Sequence, residues 1–127
     1  MRTPREVAES YWAAECRRDI DAIAAHYLPD ATYQDGGGLL VGLGAIRGYY
    51  EASIASYPGL EVTILREFPR SPDTSAFEVH AVLSDHDGRR FVIEGLIAIT
   101  VRDGRMASIR CYEDPLRPEE PGGDAVQ

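Results

Sequence analysis

Residues 19–35 read DIDAIAAHYLPDATYQD, and the change of period within this stretch decides the fold. Ile20, Ile23, Ala24, Tyr27 and Leu28 fall at helical spacing behind Asp19, whose carboxylate suits an N-cap. Leu28, Pro29 and Asp30 break that pattern. In the strand that follows, Ala31, Tyr33 and Asp35 share one face, because strand side chains alternate. A carboxylate therefore stands beside a tyrosine on a largely apolar surface. If that surface faces a cavity, Asp35 is a general base whose pKa burial can tune; if it faces water, Asp35 only ends a strand.

Upstream, Thr3, Pro4 and Glu6 compose a helix start, with Thr3 as cap, Pro4 at the first helical position and Glu6 closing a capping box. The helix runs to about Arg18 and carries Val7, Ala8, Tyr11, Trp12 and Ala14 on one face, with Cys16 on its flank. Downstream, GGGLLVGLG is a glycine-rich connection to a third helix from about Ala45 to Ser56, ended by Pro58 and Gly59. The period then becomes two. Leu60 to Phe68, Ser75 to Leu83, Arg89 to Val101 and Gly104 to Glu113 read as four strands, separated by the turn sequences PRSPDT, SDHDG and RDG. The last three form an antiparallel meander. Helices followed by strands predict an α+β fold, three N-terminal helices packed on one face of a strongly curved antiparallel sheet. The expected organisation is a single domain over residues 1–116 and a disordered tail over 117–127, since from Pro115 onward PLRPEEPGGDAVQ offers almost nothing to bury.

A chain of 127 residues suits one domain with its own core. Its formal charge of −8, from 21 acidic against 13 basic side chains, argues against nucleic acid and anionic membrane surfaces as partners. Small molecules and other proteins remain. MRTPREVAESYW lacks the apolar run of a secretory signal, and no later run approaches a membrane span, so a cytoplasmic location is expected. Cys16 and Cys111 lie far apart and outside any CxxC spacing, as buried thiols do.

Several motifs lose their force on inspection. GLGAIRG, from Gly42, resembles a dinucleotide fingerprint, but its third glycine comes one residue late and the later strands form a meander. DHDG lacks the later ligands of a calcium loop, and no His, Asp or Glu spacing suggests zinc. No serine sits in a nucleophile elbow. No cofactor or metal is therefore expected.

The order of elements, together with Tyr11, Tyr27, ATYQD (residues 31–35) and AIRGYY (residues 45–50), resembles the superfamily of nuclear transport factor 2, ketosteroid isomerase, SnoaL-like polyketide cyclases and limonene epoxide hydrolase, over Pro4 to Leu116. The resemblance implies a cone-shaped α+β barrel with a ligand pocket at its open end and a homodimer formed through the outer sheet face. Carried across from ketosteroid isomerase, Asp35 falls on the general base, Tyr11 on the oxyanion-hole tyrosine, and Tyr27 and Tyr50 on its supporting tyrosines. The second oxyanion donor falls near Ile97, where this chain is apolar. The polar set of the epoxide hydrolase falls on Val79, Ala81 and Cys111, which cannot activate water. The carboxylate of SnoaL-like cyclases falls near Glu113 or Asp114.

Two functional classes follow. One is a cofactor-independent acid/base enzyme, an isomerase, cyclase or dehydratase acting on a small apolar, polyketide-like or steroid-like substrate. Asp35 is its base, and Tyr11 with Tyr33 polarises the substrate oxygen. The other is a non-catalytic module that binds a hydrophobic ligand or dimerises, in which Asp35 pairs with Arg47 or a backbone amide. Val79, Ala81, Ile93, Ile97, Ile99, Ile109 and Cys111 would wall either pocket, with Trp12, Tyr27, Tyr50 and Glu113 around them. His26 reads as a helix cap or as a group at the pocket mouth. His80 alternates with the apolar residues of its strand and so faces the outer sheet surface.

Overall fold

The computed structural model describes residues 2–120. Helix α1 spans Pro4–Cys16. The Thr3 hydroxyl accepts from the Glu6 amide at 3.1 Å, and the Glu6 carboxylate accepts from the Thr3 amide at 2.8 Å, which is the expected capping box. Helix α2 spans Ile20–Ala25, capped by Asp19, whose carboxylate accepts from the Ala22 amide at 3.2 Å. It ends earlier than its apolar spacing predicts. Tyr27 and Leu28 belong instead to strand β1, Tyr27–Asp35, because the sheet already holds the chain at this point. The Met106 amide donates to the His26 carbonyl at 2.8 Å, and Tyr27 lies opposite Met106. Sheet pairing thus overrides local helical spacing.

The glycine-rich connection contains a strand that its composition conceals. Strand β2, Gly38–Val41, folds back on β1 with Asp35 opposite Gly38 and Thr32 opposite Val41. Helix α3, Leu43–Ser56, follows Gly42, whose φ of 89° would strain any residue with a Cβ. Four strands complete the expected run: β3 (Gly59–Ser71), β4 (Thr74–Ser84), β5 (Arg90–Arg102) and β6 (Arg105–Glu113).

The sheet order is β2-β1-β6-β5-β4-β3. All neighbours are antiparallel except β1 and β6, which run parallel, so the sheet is mixed rather than purely antiparallel. The long excursion from β1 through β2, α3 and three further strands gives the chain room for a parallel return, which a short hairpin cannot provide. The tail departs from expectation where it begins. Arg117 and Pro118 form β7 beside Val92 and Phe91 of β5, a stretch that β6 does not pair. Arg117 reaches Glu94 at 2.9 Å, and Arg90 reaches Glu119 at 2.7 Å. Unpaired backbone on β5 and two ion pairs order residues whose side chains bury little. The rest of the expected tail, residues 121–127, lies outside the described residues.

The inner sheet face carries Phe77, Val79, Ile97, Ile99 and Ile109 against Val7, Tyr11 and Trp12 of α1 and Ile46 and Tyr50 of α3, all buried. Each such side chain contributes about 1.5–3 kcal/mol of hydrophobic stabilisation. The outer face is mixed. His80 and Glu94 pair across β4 and β5 at 2.8 Å, as the alternation predicts, while Leu65, Phe68, Leu96 and Tyr112 are exposed. No helix among the described residues is long and apolar enough to cross a membrane.

Candidate active site

Alternation on β6 places Ile109, Cys111 and Glu113 on the inner face, and the sheet ends there with Glu113 opposite Gly95 of β5. That pairing is unusually close. A Cβ built on Gly95 would strike the Tyr112 carbonyl and lie 2.7 Å from the Glu113 Cα, so a glycine is needed for β6 to seat its last residue. Between this strand end and the helices lies a cavity of about 100 Å³. Val62, Val79, Ala81, Ile93, Ile97 and Ile109 supply its apolar wall. Tyr11 and Trp12 of α1, Tyr33 of β1, and Tyr49 and Tyr50 of α3 close the aromatic side, with Cys111 beneath Tyr33.

Two carboxylates line the cavity, Glu113 at one end and Glu15 on the helical side. Glu113 is an exposed residue at the cavity's edge, and partial desolvation of its carboxyl, with the charges of Asp35 and Glu15, pushes it above the usual glutamate range. Such a group exchanges protons nearer neutrality than an ordinary glutamate does. Asp114, one residue on, falls on the other side of the sheet and lines an outer groove with Leu65, Phe68 and Leu96. The tertiary structure thereby separates two carboxylates that the sequence leaves equivalent.

Asp35 shares the face of Tyr33, as the alternation predicts, but lies beyond the cavity lining. Its carboxylate accepts from the Gly37 amide at 2.7 Å in the turn before β2. It borders a surface groove that also includes Cys111 and Glu113, both of which line the cavity as well. Arg47 does not hold it, pairing instead with Asp21 at 2.5 Å and Glu51 at 3.7 Å.

The tyrosines form two groups. Tyr33 donates to Tyr49 at 2.9 Å, their rings 4.6 Å apart, and burial raises the Tyr49 phenol to about 12. Deeper in, Tyr27 and Tyr50 share a hydrogen bond of 2.6 Å, Tyr50 is bonded to Tyr11, and Tyr11 donates to Glu15 at 2.6 Å. Burial raises the phenol pKa of all three. Tyr27 and Ile99 are fully buried and lie behind the cavity rather than on its surface. His26 is also outside it, bonded to Ser10 at 2.7 Å and to the Ala22 carbonyl at 2.6 Å, which is the helix-cap reading.

Glu15 and Tyr49 escape a reading by sequence alone. Glu15 follows Tyr11 by four residues and so lies on the same helix face, but a glutamate among surface charges carries no mark of burial. Tyr49 lies three residues after Ile46 and four before Ser53, which also lines the cavity.

No curated protein sequence matches this chain. Among solved structures, the Δ5-3-ketosteroid isomerase from Mycobacterium sp. is 20% identical, with a TM-score of 0.79, over 87% of this chain and 93% of its own. A Mycobacterium tuberculosis protein in complex with estradiol-17beta-hemisuccinate is 21% identical, with a TM-score of 0.78, over 87% and 94%. SalBIII, an epoxide hydrolase/cyclase-like enzyme of pyran ring formation in polyether salinomycin, is 18% identical, with a TM-score of 0.79, over 91% and 95%. At these identities the likeness is one of fold. Residues 8–109 match the SnoaL-like domain family, and with this helix order, mixed sheet and cavity the chain belongs to that family.

Proposed function

We propose that the protein is a cofactor-independent acid/base enzyme that moves a proton within a small apolar carbonyl compound. The observation that carries this reading is Glu113, a carboxyl of raised pKa that ends an apolar, tyrosine-lined cavity. Its role is to accept a proton from the carbon next to the substrate carbonyl, while the electron pair moves onto the carbonyl oxygen. The same carboxyl then returns the proton to the substrate at the same or a conjugated carbon, so no co-reactant is consumed. Asp35, across the adjoining groove, raises the basicity of Glu113 and is the second candidate base. Tyr11 is the group proposed to polarise the oxygen, with Tyr33 acting through Tyr49, to which it donates.

An engineered cavity of about 150 Å³ admits benzene, so a space of about 100 Å³ takes in part of a six-membered ring and leaves the rest at its mouth. A larger polyketide-like or steroid-like substrate would insert one end and leave the remainder at the mouth. The cone shape and homodimer implied by the family resemblance belong to the same proposal, with Leu65, Phe68, Leu96 and Tyr112 as the apolar outer surface available for pairing.

The test is conversion of 3-cyclohexen-1-one to its conjugated isomer in D2O, with deuterium incorporation followed by proton NMR. Turnover should vanish in Glu113→Gln, which keeps shape and removes the proton acceptor. Full activity in that variant with loss in Asp35→Asn would move the base to Asp35. Tight binding without turnover or exchange would instead support the non-catalytic ligand-binding reading, which the bonding of Asp35 to the Gly37 amide favours.

A further inference from the structure

Counting protons along the buried tyrosine chain gives Glu15 a role of its own. The chain runs Tyr27, Tyr50, Tyr11, Glu15, with three hydrogen bonds linking three phenols and one carboxyl group. Each phenol has one proton to donate, and an ionised carboxylate can only accept. With Glu15 ionised, Tyr11 must donate to it, Tyr50 to Tyr11, and Tyr27 to Tyr50. All three protons are then committed, and the members of the chain that line the cavity, Tyr11, Tyr50 and Glu15, can only accept. A protonated Glu15 changes the count to four protons for three bonds. Tyr11 can accept from the acid and from Tyr50, so its own proton points to a ligand.

We propose that Glu15 is a positioning residue whose proton decides whether Tyr11 and Tyr50 offer a donor to a ligand oxygen, so that the cavity holds a carbonyl or enolate oxygen only while Glu15 is protonated. The proposal rests on the cavity being the ligand site. The surroundings of Glu15 pull in both directions. Tyr11 on its own helix donates to it, the Arg18 guanidinium lies 3.5 Å away, Tyr27 of β1 and Tyr50 of α3 stand behind Tyr11, and Glu113 of β6 and the Cys16 thiol act from further off. Arg18 is also occupied by the Tyr57 carbonyl at 3.0 Å and the Ser53 hydroxyl at 3.1 Å. Burial is the largest influence, and the Glu15 carboxyl lies above its ordinary value despite the hydrogen bond from Tyr11 and the charge of Arg18.

The experiment compares 2-cyclohexen-1-one with cyclohexene as NMR-detected ligands of the full chain across a pH series. Ketone affinity should fall about tenfold per pH unit above the Glu15 midpoint, as one-proton linkage requires, while cyclohexene affinity stays level. Glu15→Gln, whose amide donates to Tyr11 at every pH, should bind the ketone with no such fall. A level ketone profile in the wild type, or the same falling profile in Glu15→Gln, would overturn the proposal. Titration of the 13C-labelled Glu15 carboxyl without ligand judges the proton separately: a raised midpoint is expected, and one at or below the ordinary glutamate value overturns the proposal even if the variant fails to fold. Failure of both probes to bind would instead sink the cavity reading.

Discussion

Replacing Gly95 by alanine tests how β5 seats Glu113. In an ordinary strand the change should stabilise by about 0.5–1 kcal/mol, since glycine loses the most backbone freedom on folding. Here the new Cβ would lie 2.7 Å from the Glu113 Cα and 2.9 Å from its Cγ, against about 3.4 Å for ordinary contact. The end of β6 must therefore withdraw by at least about 0.7 Å, since the Tyr112 carbonyl lies nearer still, and the obstacle is backbone rather than the tip of a flexible side chain. Overpacking of this kind costs about 1–3 kcal/mol. For a domain of this size the melting temperature should fall by roughly 3–10 °C. If Glu113 is the base proposed above, a displacement approaching 1 Å at its carboxyl can reduce turnover by up to about a hundredfold. Circular dichroism melts and urea titrations read the first effect, and the isomerisation assay reads the second. An alanine variant as stable as the parent, with Glu113 titrating unchanged, would show that β5 and β6 do not make this close approach and would refute the reasoning.

Gly48, inside α3, has open space where its Cβ would be, so Gly48→Ala should raise stability by about 0.5–1 kcal/mol in the same urea assay. The same chemical change then has opposite signs at two positions. Tyr50→Phe removes the hydroxyl that joins Tyr11 to Tyr27 and should cost about 1–3 kcal/mol, because the fully buried Tyr27 loses a hydrogen-bond partner. A loss below about 0.5 kcal/mol would mean that the remaining phenols pair without Tyr50. Stability should also respond to pH through Glu15 and Glu113. Both carboxyls are raised in the folded state, so the folded protein binds more protons than the unfolded chain between the two pKa values. Their contribution is most favourable below the unfolded glutamate value and is lost as pH rises through the folded one. Glu15→Gln should flatten that decline, and an identical slope in both proteins would count against a raised Glu15.

The elements of this fold are legible from local chemistry wherever burial repeats with a period. Thr3 and Glu6 announce α1, Asp19 announces α2, and the alternation from Ser75 to Leu83 gives β4 and its outward His80. Three features escape that logic. Strand β2 is four residues long and flanked by glycines, Tyr27 keeps helical spacing while pairing in a sheet, and the start of the tail orders through partners on β5. For Tyr27 and the tail the deciding hydrogen bonds or ion pairs come from residues remote in the chain, whereas β2 pairs with its neighbour β1 in a hairpin that a glycine-rich composition conceals.

The candidate site divides in the same way. Phase along a strand or helix is a local property, so the sequence alone places Tyr33 with Asp35 and marks Tyr11 and Trp12 as inward. How far each strand extends and what stands opposite its end are properties of register, which only the assembled sheet supplies. That register carries Glu113 into the cavity beside Gly95, leaves Asp114 on the outer surface, and stops the cavity short of Asp35. The raised pKa of Glu15 lies furthest from the sequence. It depends on burial by α1, α3 and the sheet together, and an isolated helix would leave the same glutamate charged in water.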